Sequence, residues 1–280
     1  MSAEQAAMGP TEYIVHHLHH LNSTEQASMI DFSVINCDTI FFSALMLALL
    51  LFGLYRVAKK ATSGVPGRMQ CACEMVMEFI EEQSKLIVGA HVDRSFITPA
   101  AITVFLWVTL MNGIDLLPVD LIPWLAKPLG LHYMRPLPTA DLNGTMGISV
   151  GVLVLSIYYG IKAHGGAGYV KGLFTAPFGN NPILWPCNFI LNIIEYCAKT
   201  VSLAMRLFGN MFAGELIFFL IALLGGYCLA FGVVGGAGSV FGHIVAGFCW
   251  WMFHVMIILL QAFIMMMLSL VYIGQAFAGH

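Results

Sequence analysis

Charge is what this 280-residue chain has least of. Asp, Glu, Lys and Arg together make up 10% of it against 59% hydrophobic residues, at a mean hydropathy of +0.83. That balance excludes a soluble core and a basic nucleic-acid surface, and describes a polytopic helical membrane protein. Lys and Arg are absent before Arg56, although Glu4, Glu12, Glu25, Asp31 and Asp38 lie in that stretch. Residues 241–278 hold no charged side chain at all. There is no CxxC pair among Cys37, Cys71, Cys73, Cys187, Cys197, Cys228 and Cys249, which argues against a thiol metal or redox site and leaves the cysteines as small apolar fillers. A phosphate-binding glycine loop is missing too, so no nucleotide site is expected. The N-terminus lacks the basic start and short apolar core of a cleaved signal peptide, and the first span is expected to act as the insertion signal.

What is present is a series of apolar runs. The first, 39–57, has the ~20 residues that a perpendicular helix needs. Arg56, Lys59, Lys60 and Arg68 follow it, so the positive-inside bias puts the acidic 1–38 segment outside and the next loop in the cytoplasm. Residues 69–88 alternate Met75, Val76, Phe79 and Ile80 with Glu74, Glu78, Glu81, Glu82 and Lys85 near a 3.6-residue period, the pattern of an interfacial helix. The run 96–114 returns outward to a loop made irregular by Pro118, Pro123, Pro128, Pro136 and Pro138. The run 144–161 then crosses inward to Lys162 and a glycine-rich loop carrying Lys171. Two final stretches, 183–231 and 240–278, are far longer than a ~30 Å hydrocarbon core requires. They are expected to be long, strongly tilted helices joined by a turn near 232–239, where four glycines cluster. The expectation is one all-α membrane domain over 1–280, with three roughly perpendicular spans, an interfacial helix and this C-terminal hairpin.

Polar groups inside the two long runs are costly and therefore informative. Arg206 cannot shed its proton, and a charged side chain at mid-helix costs about 2.5 to 3.5 kcal/mol on insertion scales. At ~100° per residue Asn210 lies ~40° from Arg206, whereas Glu215 lies ~180° away. The cation and the acid therefore serve different faces. In the last helix His254 and Gln261 share one stripe, within ~20° of each other. A pairing across the hairpin would set the His254 imidazole near the Glu215 carboxylate, which is proton-relay chemistry, while an unpaired Arg206 suits a carboxylate that arrives and leaves. Taken singly, each has a bland reading: a structural arginine, a buried neutral acid, interhelical amide hydrogen bonds. Four on two oversized helices are harder to dismiss. His16, His17, His19 and His20 include an i, i+4 pair, but no Cys or acid nearby completes a site, and no metal is expected.

The stretch from Ser202 to Ile217, with Arg206, Asn210 and Glu215 spaced as they are, closely resembles the signature of subunit a of the bacterial F-type ATP synthase. Residues 35–38, 110–123 and 253–263 fit the same family, and the 57–67 loop looks like that of proteobacterial members, so the resemblance covers nearly the whole chain. It implies a stator beside a rotating ring of c subunits, with two offset proton half-channels and no continuous pore. Arg206 would face the ring and force each c carboxylate to release its proton, with Asn210 on the same face. Glu215, His254 and Gln261 would belong to the outer half-channel, and Asp38, Asn112, Asp115 and Asp120 to its mouth. The implied setting is the bacterial inner membrane, with a periplasmic N-terminus and a cytoplasmic C-terminus. The implied partners are the c-ring, the b subunits of the peripheral stalk, the rest of the synthase and lipid, with no nucleic acid. No cofactor and no active site of its own are expected.

One position departs from the family. Where members often carry an inner half-channel carboxylate, this chain has Asn192, and the nearest acid, Glu195, is about one turn on. Glu195 is expected to act from there, with Lys199 and Ser202 completing an aqueous path. A competing class, a proton-coupled secondary transporter, predicts broken midplane helices and repeated halves, and neither is visible. A purely structural scaffold would leave Arg206 opposite Glu215 without a purpose.

Overall fold

The computed structural model describes residues 35–89, 92–117, 121, 135–179, 181–228 and 232–278. Asp120, the N-terminal histidines, Pro118, Pro123 and Pro128 lie outside them. Among the described residues six α-helices follow one another: α1 (Cys37–Lys59), α2 (Arg68–Val88), α3 (Ile97–Gly113), α4 (Leu142–Thr175), α5 (Trp185–Cys228) and α6 (Gly232–Ala278). Five are long and apolar enough to cross a bilayer, all but α2. A chain that must satisfy every backbone polar group without water has little choice but helix.

Two boundaries differ from expectation. α4 runs on to Thr175, taking in Lys171 and the stretch expected as a glycine-rich loop, and turns at Gly165, whose φ of 71° only glycine adopts freely. The turn lets Tyr169 pack on Gly160, where an added Cβ would lie 2.7 Å from the ring. α6 starts at Gly232, so 232–239, expected as a turn, is helical. Glycine costs a helix only about 1 kcal/mol relative to alanine, less than leaving backbone groups unpaired in an apolar setting.

The chain divides into two compact units. The first comprises Met1–Leu49, Thr109–Gly144 and Phe208–Gln261. In it, the segment before α4 is buried almost throughout: Leu137 and Ala140 pack with Met211, and Asp141 accepts hydrogen bonds from Asn36 Nδ2 and Thr39 Oγ1, each at 2.8 Å. Gly144 permits this approach, because a Cβ there would sit 2.9 Å from the Pro138 carbonyl oxygen.

The second unit comprises Leu50–Val108, Thr145–Leu207 and Ala262–His280. Its core joins Ile80 and Val88 of α2, Ile97 and Ala101 of α3, Tyr159 of α4, and Met266, Leu270 and Ile273 of α6. α2 buries one stripe, Ile80, Ser84 and Val88, spaced by four as a helix face demands, and leaves its glutamates outside. Gly89, at φ 97°, ends it.

Candidate functional site

α5 presents two unlike faces. Leu203, Ala204, Leu207, Met211, Gly214 and Glu215 are buried, whereas Ser202, Met205, Arg206, Gly209, Asn210 and Ala213 are exposed. The exposed stripe is thin in bulk, and Arg206 has no hydrogen-bond or ion-pair partner among the described residues. Asn210, one turn along, donates from Nδ2 to Gln261 Oε1 at 2.7 Å, so two of the expected polar positions meet.

In the first unit the buried acid of α5 has a partner that sequence reasoning missed. Glu215 takes both hydrogen bonds of a fork from Arg135, Nε to Oε1 at 3.2 Å and Nη2 to Oε2, with both residues 5% exposed. The Arg135 backbone N–H donates to Asp38 Oδ2 at 3.3 Å, and its guanidinium lies 5.6 Å from the Phe212 ring centre. Asp38 is itself buried and accepts from Thr39 N–H at 2.8 Å. The available signal was a cation on a loop expected to face outward, against the positive-inside trend, immediately before the Pro136-Leu137-Pro138 stretch.

His254 also finds a different acid from the one expected. Its Nε2 stands 2.7 Å from Asp115 Oδ2, in the short 3₁₀ turn after α3, instead of pairing with Glu215. The imidazole is fully buried, edge-on to Phe218 at 5.1 Å and near Trp250 at 6.2 Å. It lies against Gly214, where an added Cβ would fall on the ring. The reason is spatial, since the turn after α3 and the Arg135 segment each bring a charge that helix periodicity cannot anticipate. Both His254 nitrogens, Asp115 Oδ2, both amide atoms of Asn112 and Thr139 Oγ1 are buried without a hydrogen-bond partner among the described residues. Such orphans are what an internal water chain satisfies.

In the second unit, a cavity of about 280 Å³ is lined by Ser156, His164, Tyr169, Tyr196, Lys199, Tyr272 and Gln275 among others. A smaller one shares Ser156, Tyr196, Lys199 and Tyr272 and extends to Ser149, Thr200 and Leu203. Tyr169 and Tyr196 hydroxyls meet at 3.0 Å; Lys199 donates to Gln275 Oε1 at 2.9 Å and pairs with Glu195 at 2.5 Å. Ser202 is exposed on the Arg206 stripe. Asn192 does not line these cavities: its Nδ2 donates to the carbonyls of Leu173 and Ala176 at the C-terminal end of α4 and to that of Asn188, one turn back on α5, at 2.9–3.0 Å. It satisfies carbonyls that the helix end leaves open.

Comparison with known proteins adds an independent line. Residues 40–274 match the family described as ATP synthase A chain. The chain is 49% identical to a protein named ATP synthase subunit a from Paracidovorax citrulli and 50% identical to its namesake from an Acidovorax species, with all of both chains covered in each case. A Shewanella protein of the same name is 43% identical, again over the full length of both.

Proposed function

This chain belongs to the ATP synthase A chain family, and we propose that it is the stator of the membrane sector of an F-type synthase, working against a ring of c subunits and held by b subunits. The observation that carries the reading is Arg206: a permanent cation exposed without a partner among the described residues on an otherwise apolar helix, beside small Gly209 and Ala213. A bare guanidinium in lipid is expensive, so the face needs a protein partner that brings carboxylates. α5 and α6, at 44 and 47 residues, exceed a bilayer thickness about twofold and would wrap such a ring as tilted helices.

In the mechanism we infer, protons arrive from the periplasm past Asp38, Asp120, Asp115 and Asn112. They reach the ring through the region of His254, Glu215, Gln261 and Asn210. A c carboxylate takes a proton there, becomes neutral and rotates into lipid. On returning it meets Arg206, whose charge favours the ionised carboxylate, and its proton leaves to the cytoplasm along Ser202, Lys199 and Glu195, near the polar cavities of α5. Asn192 serves that route indirectly, by fixing the end of α4. Because the guanidinium blocks a direct transfer between the two routes, flow requires rotation, and ATP is made elsewhere in the complex. The subunit has no active site of its own and sits in the bacterial inner membrane with its N-terminus in the periplasm.

The test is Arg206→Ala in inverted membranes, with the complex recovered through its c and b subunits. ATP hydrolysis retained with proton pumping abolished is the expected result. Normal pumping would make Arg206 a structural cation and end this reading. Arg206→Lys should also fail to pump normally, since an ammonium lacks the planar, permanently charged fork.

A further inference from the structure

We propose that Arg135 and Glu215 form a fixed charge pair on the outer route, and that protons there are passed by Asp115 and His254, not carried by Glu215. The inference rests on the outer route proposed above and assigns the work within it.

The two acid sites of the first unit differ in chemistry. Both oxygens of Glu215 are engaged by one guanidinium, and both side chains are almost fully buried. Arginine keeps its proton under all working conditions. A proton placed on Glu215 would take the charge of a bidentate partner away from a buried cation that has nowhere to go: Arg135 is held through its backbone to Asp38, its guanidinium lies near the Phe212 ring, and the segment after it is packed on Met211. Removing one member of such a pair costs far more than neutralising both. Glu215 is thus suited to anchoring the loop and giving the route a constant field, and poorly suited to loading and unloading at each step.

Asp115 and His254 have the opposite properties. A neutral imidazole offers one donor and one acceptor, and here Nε2 stands 2.7 Å from an Asp115 carboxylate oxygen while both ring nitrogens, buried, have a hydrogen-bonding position still open among the described residues. It can take a proton at one nitrogen and release one from the other, leaving no net charge on the ring. Asn112, buried with both amide atoms unpaired among the described residues, supplies a further donor and acceptor in the same unit for a water on this path.

The test uses whole synthase in inverted membranes, scoring only complexes in which this subunit is recovered with c and b. Arg135→Gln and Glu215→Gln are each expected to lower ATP-driven pumping at least about tenfold, while R135Q/E215Q together, or the charge-reversed R135E/E215R, recovers to within about threefold of wild type. A merely structural role for Glu215 as a space-filler would not produce rescue by reversal. If both assembled doubles pump no better than Glu215→Gln alone, Glu215 carries protons and the proposal fails. It fails equally if neither single change affects pumping, or if the singles assemble and neither double does. His254→Leu, run alongside, isolates the premise: normal pumping in that variant would remove the outer route itself, whereas lost pumping with no rescue in the doubles would overturn only the division of labour.

Discussion

The two units treat charge in opposite ways. In the first, Asp38, Arg135, Asp141, Glu215 and His254 are at most 5% exposed, and each is matched by named hydrogen bonds or an ion pair. In the second, Glu195, Lys199 and Gln275 belong to an interaction cluster only partly withdrawn from the surroundings, bordering polar cavities. The difference teaches where substitutions will be felt as lost structure and where as altered conduction. A sealed pair is intolerant of losing one member, whereas a partly solvated group has water to replace its partner.

The sharpest break should come from Arg135→Met with Glu215 intact. It leaves a buried carboxylate without its fork and the 135–141 segment without one anchor, and costs about 3 to 5 kcal/mol. Poor recovery of this subunit in the complex and a lower melting temperature in detergent are the expected readings; a normal melt would mean the first unit is wetter than its burial implies. Next is Asn192→Leu in the second unit. It strips the donor group shared by two carbonyls at the end of α4, Leu173 and Ala176, and one of α5 itself, Asn188, for about 1 to 3 kcal/mol, and should show as loss of stability with proportionate loss of pumping. If pumping fell while the melt stayed unchanged, Asn192 would be a conducting group and not a cap.

A smaller change probes the close packing of the first unit. Gly214→Ala places a methyl on the His254 ring, and overpacking of this kind costs about 1 to 3 kcal/mol. Because the imidazole must shift from Asp115, slower pumping is expected out of proportion to that cost. Wild-type rates would show that the 2.7 Å contact is not needed. Glu195→Gln should do less, since a half-exposed acid paired with Lys199 contributes little to stability. It is expected to slow pumping without altering the melt, and unchanged pumping would remove Glu195 from the inner route.

The sequence made the helices legible because their signal is local. Apolar length gave α1, α3 and α5 nearly to the residue, and the 3.6-residue period gave α2. Arg206, Asn210 and Gln261 stood out because a polar group in an apolar run is conspicuous wherever the chain folds. Arg135 did not, since a charge in a proline-rich loop looks like any solvated residue until the loop is seen to be buried. The partners of Glu215 and His254 failed for the same reason: helix angles relate residues on one helix and say nothing of what a loop inserts between helices. Asn192 falls at the family's inner half-channel position, and its Leu173 and Ala176 carbonyl partners come from the path of α4 beyond Gly165, which glycine freedom left open.

The smallest effect should come from Glu81 on the exposed face of α2, where a charge pair exists in a setting unlike either buried cluster. Its hydrogen bond to Lys85 and the charge of that lysine hold the carboxyl below the ordinary value, and the pair is made at 2.7 Å between side chains about half exposed. A lowered value means that any stabilisation is present above the unfolded value near 4.5 and fades as pH falls through the folded one. Since Glu81 is open to water, solvent screens that contribution almost entirely. Melting curves of wild type and Glu81→Gln should therefore superimpose at pH 7 and stay together on acidification toward pH 4. A gap at pH 7 that closes on acidification would show that α2 lies against something that excludes water, and would move this face from the solvated class to the sealed one.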